Sequence, residues 1–361
     1  MVQKFSFRFG IFQKILLTTL CVSLIPLGSI WFLDHQTTLE LTGQSVQQQL
    51  NSFAGTLATH VDDWVEMNQR MLLQNAELDD INSTDPNRQN AVLRSIIQNY
   101  PWTYLAFTTD SKGNNIGRSD GGTLKDYGDR EYFQQVIKGN KFGKQILIGK
   151  TSGKPALVLS TATHNSQKKV DGVIAIAMTL SELSETVTTA SLGQSGNAFL
   201  LDEKGEVIAH RNTTFTQSRA DFSQHPAFVA SSKKGLQQQI YTDEYGKKIV
   251  AGMVRTKQGW TLVAEQDYAE AFAPVQAANR QAFTMLVVTL VLVFFVAYLL
   301  SLKLATPIRS LTTVTEHLSQ GKFDVAMTGL QRKDEIGDLS RAIDRLGTSI
   351  KIAIKRLRKA A

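Results

Sequence analysis

The sequence predicts an α+β membrane protein. In it, two transmembrane helices flank a two-lobed domain built on a long N-terminal helix, and a pair of helices follows the second span. Three observations predict this: two long uncharged runs, positive charge concentrated at both ends of the chain, and an internal repeat in the middle. The 361 residues, 42% of them hydrophobic, are enough for two or three domains.

The two uncharged runs are long enough to cross a membrane. No Asp, Glu, Lys or Arg occurs from Ile15 to Leu33 or from Gln281 to Leu302. A helix rises about 1.5 Å per residue, so each run can cross a hydrocarbon core of about 30 Å. The first run also fits a cleaved signal peptide, but it lacks an Ala-x-Ala-like cleavage site, which favours a retained anchor. We expect spans at 11–33 and 281–302.

The net charge of +7 is unevenly distributed. Residues 1–33 carry three basic and no acidic groups, residues 303–361 carry 12 basic and 6 acidic groups, and residues 34–280 are close to neutral. Basic residues flank spans on the cytoplasmic side. The pattern predicts a multi-pass protein of a bacterial inner membrane with both termini, including tails 1–10 and 356–361, in the cytoplasm. The basic excess can meet anionic lipid, so no nucleic-acid partner is expected.

Apolar spacing after the first run predicts a long helix. Apolar residues recur mostly three or four positions apart, as on one helix face; they are Leu39, Val46, Leu50, Phe53, Leu57, Val61 and Trp64. A second helix should begin at Pro86, with Asp85 as its N-cap, and end before Pro101. The only cysteine, Cys21, lies in the first span, so the region 34–280 can form no disulfide.

The middle of the chain contains a repeat. A strand, an Asp-x-Lys-Gly turn and a return strand occur at 107–116 and again 92 residues later at 199–208. Both copies continue with a helix, a Gly-Lys hairpin and a last strand. The repeat predicts two lobes of one topology, a membrane-distal lobe at about 85–190 and a proximal lobe at about 191–270, both mainly antiparallel sheet.

Four stretches in this order resemble a double Cache domain, a PAS-like extracytoplasmic sensor module of chemoreceptors and sensor kinases. They are Asp129-Arg130-Glu131-Tyr132-Phe133, residues 154–160, residues 193–202 and residues 259–264. The resemblance covers about residues 39–270. It implies a small-molecule ligand bound in the distal lobe.

The last part of the chain predicts two amphipathic helices. Pro307 opens a helix that ends near Gly321, and Asp334-Glu335-Ile336-Gly337 opens a second with a coiled-coil seam. One such pair cannot bury both apolar stripes, so a parallel homodimer forming a four-helix bundle is expected. The arrangement resembles a HAMP domain at about 303–355, which implies signal-relay roles for Pro307, Gly321, Glu335 and Gly337. Few residues follow, so we expect either a separate cytoplasmic effector or the loss of the chain's own.

Catalytic chemistry is not indicated. The six histidines are scattered, with no pair four residues apart and no cysteine partner, so neither a metal site nor a cofactor is expected. Gly193-Gln194-Ser195-Gly196 lacks the spacing of a nucleophile elbow. We expect no enzyme activity.

The strongest candidate for ligand binding is the segment 127–133. Arg130 offers a guanidinium that can hold a carboxylate through two hydrogen bonds, and Tyr127, Tyr132 and Phe133 supply aromatic walls. Asp129 belongs to this set, although it could instead be an N-cap, and Tyr132 and Phe133 could be core residues. Tyr104 and Arg118, on the preceding hairpin, are further candidates.

In amino-acid-binding Cache domains the resemblance implies a later acidic residue that binds the ammonium group. The strand 172–178, where we expect it, contains none. The ligand is therefore expected to be a carboxylate-bearing or other small polar metabolite. The alternative function is a membrane-anchored protein-interaction or adhesion module without small-molecule sensing, for which large exposed apolar patches on the lobes would be the sign.

Overall fold

The computed structural model describes residues 10–150, 152–231 and 239–360, with the side chains of 357–360 left out. The predicted N-terminal tail lies almost wholly outside the described residues. Contacts divide the chain into a terminal unit, Met1–Glu40 with Val275–Ala361, and a central unit, Leu41–Pro274. The fold is α+β, as the sequence predicts, with a long N-terminal helix, two sheets and a C-terminal helical pair.

The N-terminal helix α1 runs unbroken over Ile11–Ala76. Within the central unit its buried side chains follow the predicted stripe and include Val46, Leu50, Leu57 and Val61. Polar contacts fix α1 to both lobes of this unit. The indole Nε1 of Trp102 donates to Asn68 Oδ1 at 2.9 Å, and the backbone N–H of Lys257 donates to Asp62 Oδ2 at 2.9 Å.

The first lobe, which corresponds to the predicted distal lobe, has a five-stranded antiparallel sheet of order β2-β1-β5-β4-β3. As predicted, Asp85 caps its first helix by accepting the backbone N–H of Asn87. The elements are α2 Pro86–Asn99, β1 Thr103–Asp110, β2 Asn115–Arg118, α3 Glu131–Ile137, β3 Gly143–Ile148, β4 Pro155–His164, β5 Val170–Thr179 and α4 Ser181–Thr188.

The second lobe repeats this order of strands as β7-β6-β10-β9-β8, which confirms the predicted duplication. Its elements are β6 Asn197–Leu201, β7 Val207–Ala209, α5 Thr213–Ser218, α6 Pro226–Ser231, β8 Gln239–Thr242, β9 Lys248–Arg255, β10 Thr261–Asp267 and α7 Tyr268–Ala271.

The two Asp-x-Lys-Gly turns are built alike. Asp110 Oδ1 accepts the N–H groups of Lys112 and Asn114. Asp202 Oδ1 accepts the N–H groups of the equivalent residues, Lys204 and Glu206. The turn glycine Gly113 has φ +98°, and a Cβ there would lie 2.3 Å from the backbone nitrogen of Gly128. Only glycine fits at such a position.

In the terminal unit, α8 spans Ala273–Ser319 and α9 spans Glu335–Ala360. Among the described helices, α1 and α8 are long and apolar enough to cross a membrane. Phe12 of α1 and Tyr298 of α8 pack with their rings perpendicular, with centroids 5.9 Å apart. Within this unit α8 and α9 pack closely at Leu318 and Gly347. A Cβ at Gly347 would lie 3.1 Å from the Leu318 side chain.

Candidate functional site

A small cavity lies on one face of the first-lobe sheet, under the start of α3. Its floor is apolar because successive strands turn the same face towards it: Leu105 pairs with Ala177, and Ala177 pairs with Val158. Phe107 and Leu147 complete this floor. Tyrosines and two cationic residues form the walls: Tyr104, Tyr127, Tyr132, Arg130 and Lys150. The free volume is about 20 Å³, room for roughly one water molecule.

Two positive charges reach the cavity from different elements. Arg130 occupies the N-cap position of α3, and its side chain is 20% exposed. Lys150, in the turn between β3 and β4, donates to Asp129 Oδ1 at 2.9 Å and to the carbonyl of Asp126 at 3.1 Å. The hydrogen bond from Lys150 holds the pKa of Asp129 below its ordinary value. That carboxylate, 3.7 Å from Arg130 Nε, therefore lies between the two cations.

The tyrosine hydroxyls are held in different ways. Ser152 Oγ donates to the hydroxyl of Tyr104 at 3.3 Å, and burial raises the pKa of Tyr104. Burial also raises the pKa of Tyr132. A Cβ at Gly149 would lie 2.7 Å from the Tyr104 hydroxyl, so a side chain there would have to displace that hydroxyl. The turn and Tyr104 together close this side of the cavity.

Arg118 acts behind the cavity wall. Its side chain is 2% exposed and forms a forked ion pair with Asp120, at 2.9 and 2.8 Å. It also donates to the Tyr127 hydroxyl at 3.0 Å, which orients that ring against Phe107, with ring centroids 4.5 Å apart. The hydrogen bond with Asp120 is the main reason that the pKa of Arg118 is raised. Arg118 is thus a positioning residue for the aromatic wall.

The structure brings most of the predicted site residues together. Tyr104, Tyr127, Arg130 and Tyr132 line the cavity. The others lie next to it: Asp129 binds Lys150, Arg118 binds Tyr127, and Phe133 is buried in the core cluster beneath. The alternative interpretation of Asp129 as an N-cap is wrong, because Arg130 takes that position and caps with no side-chain hydrogen bond.

Lys150 and Leu147 were missed at the sequence level. The available signal was a basic residue in the Gly-rich hairpin turn, but its side chain could equally have pointed into solvent.

The charge of the cavity suits an anion. Among the described residues that line it, two are cationic and none is a carboxylate. The expected acid of the last strand is absent, and Ala177 faces the cavity instead. Guanidinium and ammonium groups with tyrosine hydroxyls can hold a carboxylate, and the apolar floor can accept a short carbon chain. In the part of the chain that the structure describes, no group of three or more His, Cys, Asp or Glu side chains is placed to bind a metal.

Three of the predicted relay residues lie at or near ends of the two C-terminal helices: Gly321 follows α8 with φ +78°, Glu335 is the first residue of α9 and Gly337 is its third. The prediction that Pro307 opens a helix is wrong, because α8 runs unbroken over Ala273–Ser319 and holds Pro307 in its interior. Asp334 Oδ1 accepts the N–H of Gly337 at 3.0 Å, as an N-cap side chain does. The hydrogen bond from Arg332, followed by that from the Gly337 amide, lowers the pKa of Asp334 to about 2.

Three apolar residues of the α9 seam are exposed in the single chain. Leu339, Leu346 and Ile350 are 49%, 58% and 37% exposed. Apolar side chains at coiled-coil spacing gain stability only when another helix covers them.

Comparison with known protein families gives two matches. A family model described as Cache domain matches residues 36–275, and one described as HAMP domain matches residues 299–351. Two relatives are methyl-accepting chemotaxis proteins of Bacillus subtilis (strain 168). McpA is 23% identical over 364 residues, covering 96% of this chain and 52% of the relative, and McpC is 23% identical over 382 residues, covering 99% and 54%. The chain thus spans about half the length of these relatives.

Solved structures show the same fold. The ligand binding domain of Mlp24 with asparagine has a TM-score of 0.54 at 18% identity, covering 66% of this chain and 99% of that domain. The ligand-binding domain of the Pseudomonas fluorescens chemoreceptor CtaA in complex with L-isoleucine has a TM-score of 0.52 at 14% identity, covering 64% and 95%. At these identities the likeness concerns the fold alone.

Proposed function

The chain belongs to the Cache domain family and carries a HAMP domain after its second apolar helix, and on that premise we propose that it is a transmembrane receptor for a small carboxylate. The observation that carries the proposal is the cavity of the first lobe, which has Arg130 and Lys150 on its wall and an apolar floor. The relatives that match most of the chain are methyl-accepting chemotaxis proteins, which favours chemotaxis as the process served.

The charge balance favours a carboxylate without a required ammonium group. The solved relatives hold asparagine and L-isoleucine, both of which carry a carboxylate and an ammonium. A buried ammonium needs an anionic or strongly polar partner. Here the last strand of the lobe offers Ala177 to the cavity, whereas Arg130 and Lys150 can both serve an anion.

Binding requires the cavity to widen. Pockets for small ligands typically measure about 300–1,000 Å³, far more than the free volume beside Tyr104. The residues best placed to move are Lys150 and Ser152, between β3 and β4. Lys150 is held by exposed hydrogen bonds to Asp126 and Asp129, and Ser152 bonds the Tyr104 hydroxyl at 3.3 Å. A ligand carboxylate would replace Asp129 as a partner of Lys150, and the turn would close on it.

The relay function is supported by the exposed seam of α9. A parallel homodimer would bury Leu339, Leu346 and Ile350 in a four-helix bundle, and such a bundle can switch between two packings. A ligand shifts that equilibrium only by its difference in affinity for the two states. We propose that the output comes from cytoplasmic effector functions coupled to the HAMP domain.

The proposal includes a membrane orientation, with both termini in the cytoplasm of a bacterium and residues 34–280 outside its inner membrane. Basic residues concentrated before the first span and after the second support it. The proposal includes the boundaries 11–33 and 281–302 for the spans.

Ligand-induced stabilisation of the full chain in detergent tests the proposal. The wild type and Arg130→Ala would be screened against small organic acids, each paired with its 2-amino derivative, by thermal unfolding. We expect at least one carboxylate to raise the unfolding temperature of the wild type, with a loss of affinity of at least about tenfold in Arg130→Ala.

Arg94→Ala is the matched control, because Arg94 is an exposed arginine of α2 in the same lobe. It should respond like the wild type. The proposal fails if no acid stabilises the wild type, or if Arg130→Ala is stabilised as strongly as Arg94→Ala.

A further inference from the structure

The backbone places Arg130 of the first lobe and His225 of the second lobe at the same position of the repeat. An isolated bridge joins Asn114 to Asp126, and its counterpart joins Glu206 to Asp221. One residue on, Tyr127 donates its N–H to the turn glycine carbonyl at 2.8 Å, as Phe222 does in the second lobe. Three residues on, Arg130 donates its N–H to the Tyr127 carbonyl at 3.0 Å, and His225 to the Phe222 carbonyl at 2.9 Å.

The strand registers extend the equivalence across the sheet. Phe107 and Phe199 are equivalent, and they pair with Ala175 and Val263. Two residues further along the last strand, Ala177 of the first lobe therefore corresponds to Glu265 of the second. When the strand pairing is followed across the next two strands of each sheet, Leu147 of the first lobe occupies the same position as Tyr241 of the second.

The second lobe thus has a different set of groups at the positions that line the first-lobe cavity. An arginine is replaced by His225, an alanine by Glu265 and a leucine by Tyr241. The hydroxyl of Tyr241 donates to Glu265 Oε1, and His225 Nε2 lies 3.7 Å from the same oxygen. His225 Nδ1 is buried without a hydrogen-bond partner among the described residues.

Aromatic rings surround these groups. His225 stacks on Phe222, with centroids 5.4 Å apart, and meets Phe199 and Tyr241 edge-on, each at 5.3 Å. The side chains of His225 and Glu265 are 22% and 13% exposed, so the set is reached from the surface. A carboxylate among aromatic faces is the arrangement that binds organic ammonium ions.

We propose that the second lobe contains a second ligand site, centred on Glu265, Tyr241 and His225, which binds a small organic ammonium compound. It is distinct from the carboxylate site of the first lobe and goes beyond the proposed function. The ligand's cationic nitrogen pairs with Glu265, and its carbon atoms lie against Phe222 and Tyr241.

Among the residues that the structure describes around this site, none supplies a positive charge to the carboxylate. Burial lowers the pKa of His225 to about 4, so the imidazole is neutral at neutral pH. The other titratable groups near it, His210 and Asp243, add no cation: burial lowers the pKa of His210, and Asp243 acts to raise the pKa of Glu265. Burial raises the pKa of Glu265 to about 7. A buried carboxylate without a cationic partner is costly, and a ligand cation would relieve that cost.

The test is a titration of the full chain in detergent at pH 8, where the Glu265 carboxyl is mostly ionised. The probes are methylammonium and tetramethylammonium chloride, with sodium chloride at equal ionic strength as the reference, and binding is followed by calorimetry. Glu265→Gln should weaken binding of an ammonium probe by at least about tenfold. Tyr241→Phe should raise the affinity, because it keeps the ring that lines the site and removes the hydroxyl that competes for the Glu265 carboxylate.

Arg130→Ala separates the two sites. If it leaves ammonium binding intact while Glu265→Gln abolishes it, the second-lobe site is supported whether or not any carboxylate binds the first lobe. The inference is overturned if neither probe binds above the sodium reference, if Glu265→Gln binds like the wild type, or if Tyr241→Phe binds no more tightly than the wild type. The Tyr241→Phe result decides the matter should Glu265→Gln fail to fold.

Discussion

Lys144 of β3 donates to Glu203 of the second lobe at 2.9 Å, so a strand of the first lobe is bonded directly to the other lobe. The same ammonium group donates to the carbonyl of Gln258 and lies 5.5 Å from the ring centroid of Trp260. Three residues along β3, Leu147 lines the cavity of the first lobe. One strand therefore joins the proposed ligand site to the second lobe.

Replacing Lys144 by Met should loosen the contact between the lobes without unfolding either. The ion pair is partly exposed, so its contribution is about 1 kcal/mol or less, with a similar amount from the ring contact. We expect hydrogen exchange at the amides of Lys257 and Trp260 to become several-fold faster. Both amides are hydrogen-bonded in the segment that Lys144 covers.

Lys141→Met is the control, because Lys141 is an exposed lysine just before β3 whose ammonium lies over Phe142, its own neighbour. Exchange at 257 and 260 should not change in that variant. Equal exchange in the two variants would show that Lys144 does not couple the lobes.

The order of the elements could be predicted because its signals are local. Asp85 and Pro86 mark the start of α2 through cap chemistry that depends on adjacent residues. The turns at Gly113 and Gly205 follow from the need for positive φ, and two copies of one strand pattern predicted two sheets of one topology.

The full set of residues that line and support the cavity could not be predicted, because it depends on contacts between distant segments. Lys150 reaches Asp129 from 21 residues further along the chain, and nothing in its own neighbours indicates that pairing. The sequence allows Arg118 to be a pocket residue or an exposed one; in the structure its buried guanidinium pairs with the partly exposed Asp120 and donates to Tyr127. The ligand roles of the predicted residues stay predictions until binding is measured.

The carboxylate of Glu270 in α7 predicts an acid-dependent change in stability. It accepts the backbone N–H groups of Gln194 and Ser195 at 2.7 and 2.8 Å, in the nest that a turn of consecutive N–H groups forms. Hydrogen bonds from Ser195 and these amides lower the pKa of Glu270 to about 2. A lowered carboxyl pKa stabilises the fold above the ordinary value near 4.5, and this contribution is lost as the pH falls towards 2.

Glu270→Gln should therefore have a lower unfolding temperature than the wild type at pH 6, and the difference should shrink between pH 4.5 and 2. Thermal unfolding of the full chain in detergent, followed by circular dichroism, measures it. Glu182→Gln, an exposed change in α4, serves as the control and should show no such convergence. A Glu270→Gln difference that stays constant down to pH 2 would contradict the assigned role.

The surroundings of Gly337 predict that the connector before α9 packs closely against the start of that helix. A Cβ at this residue would lie 2.1 Å from the carbonyl oxygen of Arg332, a backbone atom that cannot turn aside as a side chain would. Gly337→Ala must therefore push the connector away from the helix and weaken the hydrogen bond from residue 337 to Asp334, with a cost of about 1–3 kcal/mol. Trypsin should cleave after Arg332 and Lys333 several-fold faster in the variant.

The matched control for this change is Gly55→Ala. Gly55 is also a helical glycine, in α1, but a Cβ there would meet nothing within 4 Å. Alanine in such open space stabilises a helix by about 0.5–1 kcal/mol, so cleavage at the connector should stay at the wild-type rate. If Gly337→Ala is cleaved no faster than Gly55→Ala, the close packing of the connector on α9 does not hold in solution, and Gly337 loses its assigned part in the relay.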